Sequence, residues 1–465
     1  MRHLVRLLPP GDTLAADSRA AVDALVGRAG RWRAPSASLH GARSVCSCFC
    51  LQLLREHFCT IASSNKNVRR AATVLVAGVA IYIFRKKLGR LWTVYNLFRK
   101  HVIVHNFRTI HDLGFDSVNV STRGTPVATL QEGKQHDLPP TFTWKDMKFD
   151  TEKWLEDHWT TGLVVLKRDS DTQARVFIEK YFRGNDASSR CISWSICKSV
   201  VSALFGIAVD KQLIGDITNK TVTDYVPELI GSGYEGVPIK HVLQMSSGIA
   251  FDEDYFHPFS DINMMGYTLA LGWSMDSFVA SLKAAWKPGV RNHYVSMDTQ
   301  VLAMILTRAT LQRLSDFAEE HLWSKVGFQS GATWLLDNAA DRTELAFGIL
   351  GATTRDWARF GWLYLNGGVS PSLGTRILSE GWVRASLAAD APHLQPGKQN
   401  TMSDYPTFGY GYQWWLCPHP DDPARLARDY MAMGVYGQLI YVSPDYGLVI
   451  AKNAAFPHYA KLKDH

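Results

Sequence analysis

The stretch Val200, Val201, Ala203, Leu204, Ile207 and Ala208 is apolar around most of a helical circumference, so the helix it predicts must be enclosed by other elements. A hydroxyl and an amine, Ser195 and Lys198, sit at its start. Three residues apart on a helix, they share one face and are close enough for a hydrogen bond. A chain of this length holds roughly one or two Ser-x-x-Lys spacings by chance, and an N-cap with a surface lysine is the ordinary meaning of one. Enclosure changes that meaning. A lysine held in a low-dielectric place loses its proton more easily, and a serine hydroxyl is inert without such a base beside it. Cys197, between the two, should point about 200° away from Ser195 around the helix and is not expected to react.

Further motifs follow in fixed order. The runs Ser193-Trp194-Ser195-Ile196-Cys197-Lys198-Ser199-Val200, Val242-Leu243-Gln244-Met245-Ser246-Ser247-Gly248 and Asn292-His293-Tyr294-Val295-Ser296 through Leu302, with Trp414-Trp415 and the turn Gly434-Val435-Tyr436-Gly437-Gln438, resemble the beta-lactamase-related serine hydrolases. Within that family they are most similar to the branch of 6-aminohexanoate-dimer hydrolases and class C-like esterases. The resemblance runs from about Trp159 to about Lys452, nearly two thirds of the chain.

The resemblance implies an α+β fold: one antiparallel sheet built from both chain ends, flanking helices, a helical subdomain, and the active site at their junction. It implies that Ser195 is the nucleophile, Lys198 its base, and Tyr294 the phenol that relays a proton to the leaving group. The N–H groups of Ser195 and Val435 would form the oxyanion hole, with Gly434 permitting close backbone approach. Tyr255, Ser296, Trp414, Trp415 and Gly434 match substrate-binding positions, Ser296 standing where many relatives carry asparagine. His293 is adjacent to Tyr294, but no Gly-x-Ser-x-Gly elbow surrounds Ser195, so a structural role is expected for it. Where the lysine-led tripeptide of the family belongs, this chain has Ala432-Met433-Gly434. Without that cation, small esters or amides lacking an obligatory carboxylate fit better than beta-lactams.

Composition places the rest. With 46% apolar and 20% charged residues, 15 Trp and 17 Tyr, the chain can bury a large core and is not disordered. Its net charge of +7 is concentrated early, seven Arg before residue 50 and clusters at Arg69-Arg70 and Arg85-Lys86-Lys87. That distribution suits a membrane or targeting signal and argues against nucleic-acid binding. Ala71 to Phe84 carries no charge and would span roughly 21 Å as a helix against a hydrocarbon core of ~30 Å, so a short single-pass or interfacial anchor is expected, continued by Leu88, Leu91, Trp92, Val94, Tyr95 and Leu97. The Arg-rich first fifty residues also leave a mitochondrial presequence open. Cys46, Cys48, Cys50 and Cys59 crowd the N-terminal part, as modified or unpaired thiols do. Neither cofactor nor metal is expected, since no ligand spacing appears.

Four stretches result: 1–66 of low order, 67–100 an anchor with basic flanks, 101–148 a connector strap, and 149–458 the hydrolase domain. Gly162–Leu166 with Arg175–Ile178, and Leu439–Val442 with Gly447–Ala451, read as hairpins. The alternative to an enzyme is a catalytically idle, membrane-tethered scaffold of the same fold.

Overall fold

In a computed structural model of the protein, residues 85–459 are described apart from 133–135, 145–146, 171–172, 371–373 and 398–399, together with Thr73, Val74 and Gly78. The cysteine tract and nearly all of Ala71 to Phe84 lie outside these residues. Among the described residues no helix is long and apolar enough to cross a membrane. The chain divides into two units, 1–86 and 87–465, and the second holds all three sheets of the described residues and the residues expected to form the site.

Strand alternation generates the main sheet. Both expected hairpins form: Thr160–Ser170 pairs with Gln173–Tyr181, and Gln438–Ser443 with Leu448–Ala454 across the Pro444-Asp445-Tyr446-Gly447 turn. The two hairpins join edge to edge through Leu448–Ala454 and Thr160–Ser170, so the first and last parts of the domain share one sheet. Its order is Gly409–Tyr410, Trp415–His419, Asp422–Gly434, Gln438–Ser443, Leu448–Ala454, Thr160–Ser170, Gln173–Tyr181 and Gln131–Glu132. All neighbours are antiparallel except the last pair.

Val449, Ala451, Ile440 and Val442 point to one face, against the Thr354–Leu365 helix. That helix approaches closely because Gly361 has no side chain: a Cβ there would lie 2.6 Å from Val449 and 2.8 Å from Ile440. The Ile196–Asp210 helix is buried from Ile196 to Ala208, packed between the Ser296–Thr310 helix and the Asp422–Gly434 strand. Its full enclosure is what the unbroken apolar run requires, since a helix without a polar face has no stable position at the surface.

Residues 101–148 do more than run along the domain. Ile103–Arg108 is a helix, Ser117–Val120 pairs with Ala332–Leu335 in a second sheet, and Gln131–Glu132 extends the main one. The compact unit thus begins well before Asp150, the boundary expected from composition.

Candidate active site

The second sheet delivers the serine. Its edge strand Arg190–Ile192 runs into Ser193 and Trp194, and Trp194 takes a left-handed conformation (φ 46°) that reverses the chain into the helix at Ser195. One helical turn on, Lys198 Nζ lies 2.9 Å from Ser195 Oγ and 2.5 Å from the Phe347 carbonyl oxygen. Lys198 is 1% exposed. Burial lowers its pKa from 10.5 to about 8, against the opposing pull of the Glu253 carboxylate.

Tyr294 closes the third side. It follows a segment pinned by the backbone of the Val242–Gly248 run, with the Asn292 amide donating to Gln244 O (3.0 Å) and the His293 N–H to Met245 O (2.9 Å). Its ring lies 5.2 Å from Lys198 Nζ and stacks on Trp415 at 5.5 Å and 16°, with Tyr405 and Tyr410 edge-on. Burial drives the Tyr294 phenol well above its ordinary pKa, Tyr410 and Glu253 add to the rise, and a hydrogen bond with Ser195 opposes it. The phenol therefore keeps its proton at neutral pH.

Gly434 brings the main sheet to the serine. A Cβ on it would lie 2.5 Å from Ser193 O and 3.1 Å from Ser195 N, an approach only glycine permits. Ala432 faces the core and Met433 packs against the cluster that holds Trp415, so neither supplies a charge where family relatives carry lysine.

Of the expected substrate-binding residues, Tyr255 is exposed, and its phenol hydrogen-bonds the Glu253 carboxylate (3.2 Å). Trp415 backs Tyr294 rather than facing solvent. Ser296 is 2% exposed at the start of its helix, where its N–H donates to Glu253 Oε1 (2.8 Å). Trp414 is a correction. It is fully buried among Phe360, Tyr364 and Tyr430, while Trp415, the next residue of extended chain, faces the other side against Tyr294. Cys197 is sealed in the core with its thiol pushed far up by burial. His293 turns to Asp404 and the Phe251 carbonyl.

Sequence reasoning missed two participants. Glu253 faces Lys198, Tyr294 and Tyr255, and the only signal for it is its position two residues before Tyr255 in an acidic run. The Phe347 carbonyl leaves no mark in a sequence at all. Among the described residues no cluster of three or more His, Cys, Asp or Glu is arranged to hold a metal.

A serine at a helix start, bonded to a buried lysine and faced by a half-buried tyrosine, defines a serine hydrolase. The Beta-lactamase family model matches residues 162–461, and the chain belongs to that family. It is 30% identical over 317 residues to the 6-aminohexanoate-dimer hydrolase of Paenarthrobacter ureafaciens, covering 66% of this chain and 76% of that one. A Bacillus anthracis structure assigned to the 6-aminohexanoate-dimer hydrolases superposes with a TM-score of 0.64 at 20% identity, covering 78% and 90% of the two chains. A penicillin-binding protein of Bacillus halodurans gives 0.51 at 14% identity, covering 67% and 99%. These two likenesses establish the beta-lactamase and penicillin-binding-protein fold.

Proposed function

We propose that the protein cleaves a small ester or uncharged linear amide through an acyl-enzyme on Ser195. The observation that carries this is the Lys198 amine, 2.9 Å from Ser195 Oγ and lowered to about 8 by burial. As a neutral amine Lys198 keeps one N–H on the Phe347 carbonyl and turns its lone pair to the Ser195 hydroxyl. Ser195 Oγ then attacks the carbonyl carbon as its proton passes to Lys198. The developing oxyanion is met by the Ser195 and Val435 N–H groups, a contribution of about 3 kcal/mol per donor where such holes have been dissected. Tyr294 gives its phenolic proton to the leaving group and regains one from Lys198. Water, entering where the leaving group departed, hydrolyses the acyl-enzyme by the reverse relay.

The groups near the reacting pair bear on substrate class: Tyr255, the Glu253 anion, and no cation in the Ala432-Met433-Gly434 tripeptide. The relative named for hydrolysing the 6-aminohexanoate dimer makes a linear amide a candidate beside esters. Labelling with a fluorophosphonate probe tests the reading, because Ser195→Ala should abolish it while leaving the fold intact. Equal labelling of that variant removes Ser195 from its role.

For location we propose attachment to a membrane surface. Residues 85–96 are helical, and Leu88, Trp92 and Tyr95, spaced four and three apart, are 50%, 67% and 39% exposed beside Arg85, Lys86 and Lys87. Sedimentation with anionic vesicles, lost on Trp92→Glu, is the expected result. Equal sedimentation of the variant counts against it.

A further inference from the structure

We propose that residues 97–107, N-terminal to everything the family model matches, are part of the catalytic apparatus, with Phe98 and Phe107 as positioning residues for the oxyanion hole. The inference rests on the Ser195 and Val435 donors of the proposed acyl transfer.

Each donor is flanked by a bulky residue in a costly backbone state. Trp194, directly before Ser195, has φ 46°, and Tyr436, directly after Val435, has φ 64°. Left-handed conformation is unfavourable for aromatic residues and persists only where the surroundings over-determine it. Neither residue is glycine, so their own rings must be what is held.

The rings are held by the N-terminal segment. Phe98 stacks on Tyr436 at 5.0 Å and 11° and lies 5.8 Å from Trp194. Phe107 meets both edge-on, at 5.5 Å and 5.3 Å. Trp194 and Tyr436 are themselves 5.6 Å apart, and Phe98 and Phe107 6.3 Å apart. Every ring of the four contacts the other three. The segment is fixed to the domain in turn: Ile103 and Phe107 are buried in the core, the Asn106 amide donates to Leu97 O, and Arg108 donates to the Gly184 carbonyl.

The geometry has a direct consequence. The turn that aims the Ser195 N–H and the turn that aims the Val435 N–H touch each other through Trp194 and Tyr436, and the same two phenylalanines back both. Removing one loosens the two donors together, while the Lys198 and Ser195 pair, held from the other side by Phe347, stays in place.

The test uses the full chain. Phe98→Ala, at a half-buried position, is expected to slow acylation by an activated aryl ester about ten- to a hundredfold, a fraction of the ~10²–10³ attached to a whole oxyanion donor. KM should stay within about twofold, since the loss falls on the transition state. Affinity for a phosphonate transition-state analogue should drop in parallel with kcat/KM. Phe98→Tyr, which keeps the ring, should restore the rate. Phe107→Ala is the second variant, read the same way if it folds. Wild-type acylation in folded Phe98→Ala overturns the inference, as does an equal loss in Phe98→Tyr. If Ser195→Ala is unlabelled while Phe98→Ala acylates normally, only this inference falls; labelling of Ser195→Ala removes the underlying reading instead.

Discussion

Replacing Lys198 by methionine or arginine separates what its basicity does for catalysis from what its burial costs the fold. A lysine at its ordinary pKa of 10.5 is neutral in only ~0.03% of molecules at pH 7, whereas one at about 8 is neutral in ~9%, a gain of about 300-fold in competent enzyme. The wild-type kcat/KM profile should therefore rise with pH and level off above an apparent pKa of about 8. Arginine cannot accept the Ser195 proton below pH 12, so Lys198→Arg should lose about as much as Lys198→Met, on the order of 10³-fold or more.

Stability of the wild type should also rise with pH, over a higher window. The folded-state pKa lies below the unfolded one, so the unfolded chain binds more protons between about 8 and 10.5 and stability rises with pH across that window. Below pH 8 both states are protonated and the folded state bears the full penalty of a buried ammonium, about 3 kcal/mol, partly offset by the hydrogen bonds to Ser195 and Phe347. Roughly 2 kcal/mol of that penalty is relieved by pH 9.5. Lys198→Met lacks the term, so its stability relative to wild type should be greater at pH 6 than at pH 9.5 by that amount. Urea denaturation at the two pH values, with ester kinetics from pH 6 to 9.5, gives both readings. A flat rate profile, or an arginine variant retaining a tenth or more of wild-type activity, refutes the reasoning.

Glu253→Gln removes the carboxylate that opposes the lowering of Lys198, so the rising limb of the kcat/KM profile should move to lower pH; an unmoved midpoint would show that the carboxylate does not act on the amine. Gly434→Ala would place a methyl 2.5 Å from Ser193 O and 3.1 Å from Ser195 N, and should cut acylation about 10²-fold or more by pushing the strand off the serine turn. Pre-steady-state burst amplitude and rate measure this, and a wild-type burst would exclude strand approach as a requirement. Neutral short-chain esters should be turned over at least as well as matched esters with a free carboxylate near the scissile bond, because a pocket without a charge-assisted bond still has to desolvate the anion. A preference of about tenfold or more for the carboxylated member would be ~1.4 kcal/mol of transition-state binding from a cation elsewhere.

Much of the architecture was legible because its signals are local. An unbroken apolar run can only be an enclosed helix, and alternation around Pro444-Asp445-Tyr446-Gly447 can only be a hairpin, so the Ile196–Asp210 helix and both hairpins appear where expected. Ser195 and Lys198 are juxtaposed by a helical turn, a spacing that needs no tertiary information. Trp414 could not be placed, because adjacent tryptophans in extended chain face opposite sides and nothing in the pair tells which side is the core. Glu253 reaches the site across 43 residues of chain to the Ser296 N–H, and the Phe347 carbonyl is backbone. The ring contacts of Phe98 and Phe107 were hidden for a third reason. Both phenylalanines precede every motif the family carries, and nothing in their spacing tells that their partners are Trp194 and Tyr436.

The way Lys198 is tuned links these parts. Two influences act on its pKa: desolvation lowers it, and the Glu253 carboxylate raises it. A lysine-led strand would add a like charge close by and lower it further, as a second ammonium does to its neighbour. Here that position is Ala432, turned into the core, so no cation is among the influences on the amine and Glu253 works against the shift. Burial alone must therefore carry the amine down to about 8. The site's competence then depends on dryness more than on charge pairing, and its walls at Phe347, Tyr294 and the sealed core of the Ile196–Asp210 helix matter as much as the catalytic groups. A mutation that admits water beside Lys198, without touching a reacting atom, should return the amine toward its ordinary pKa and, under the proposed mechanism, withdraw base and nucleophile together.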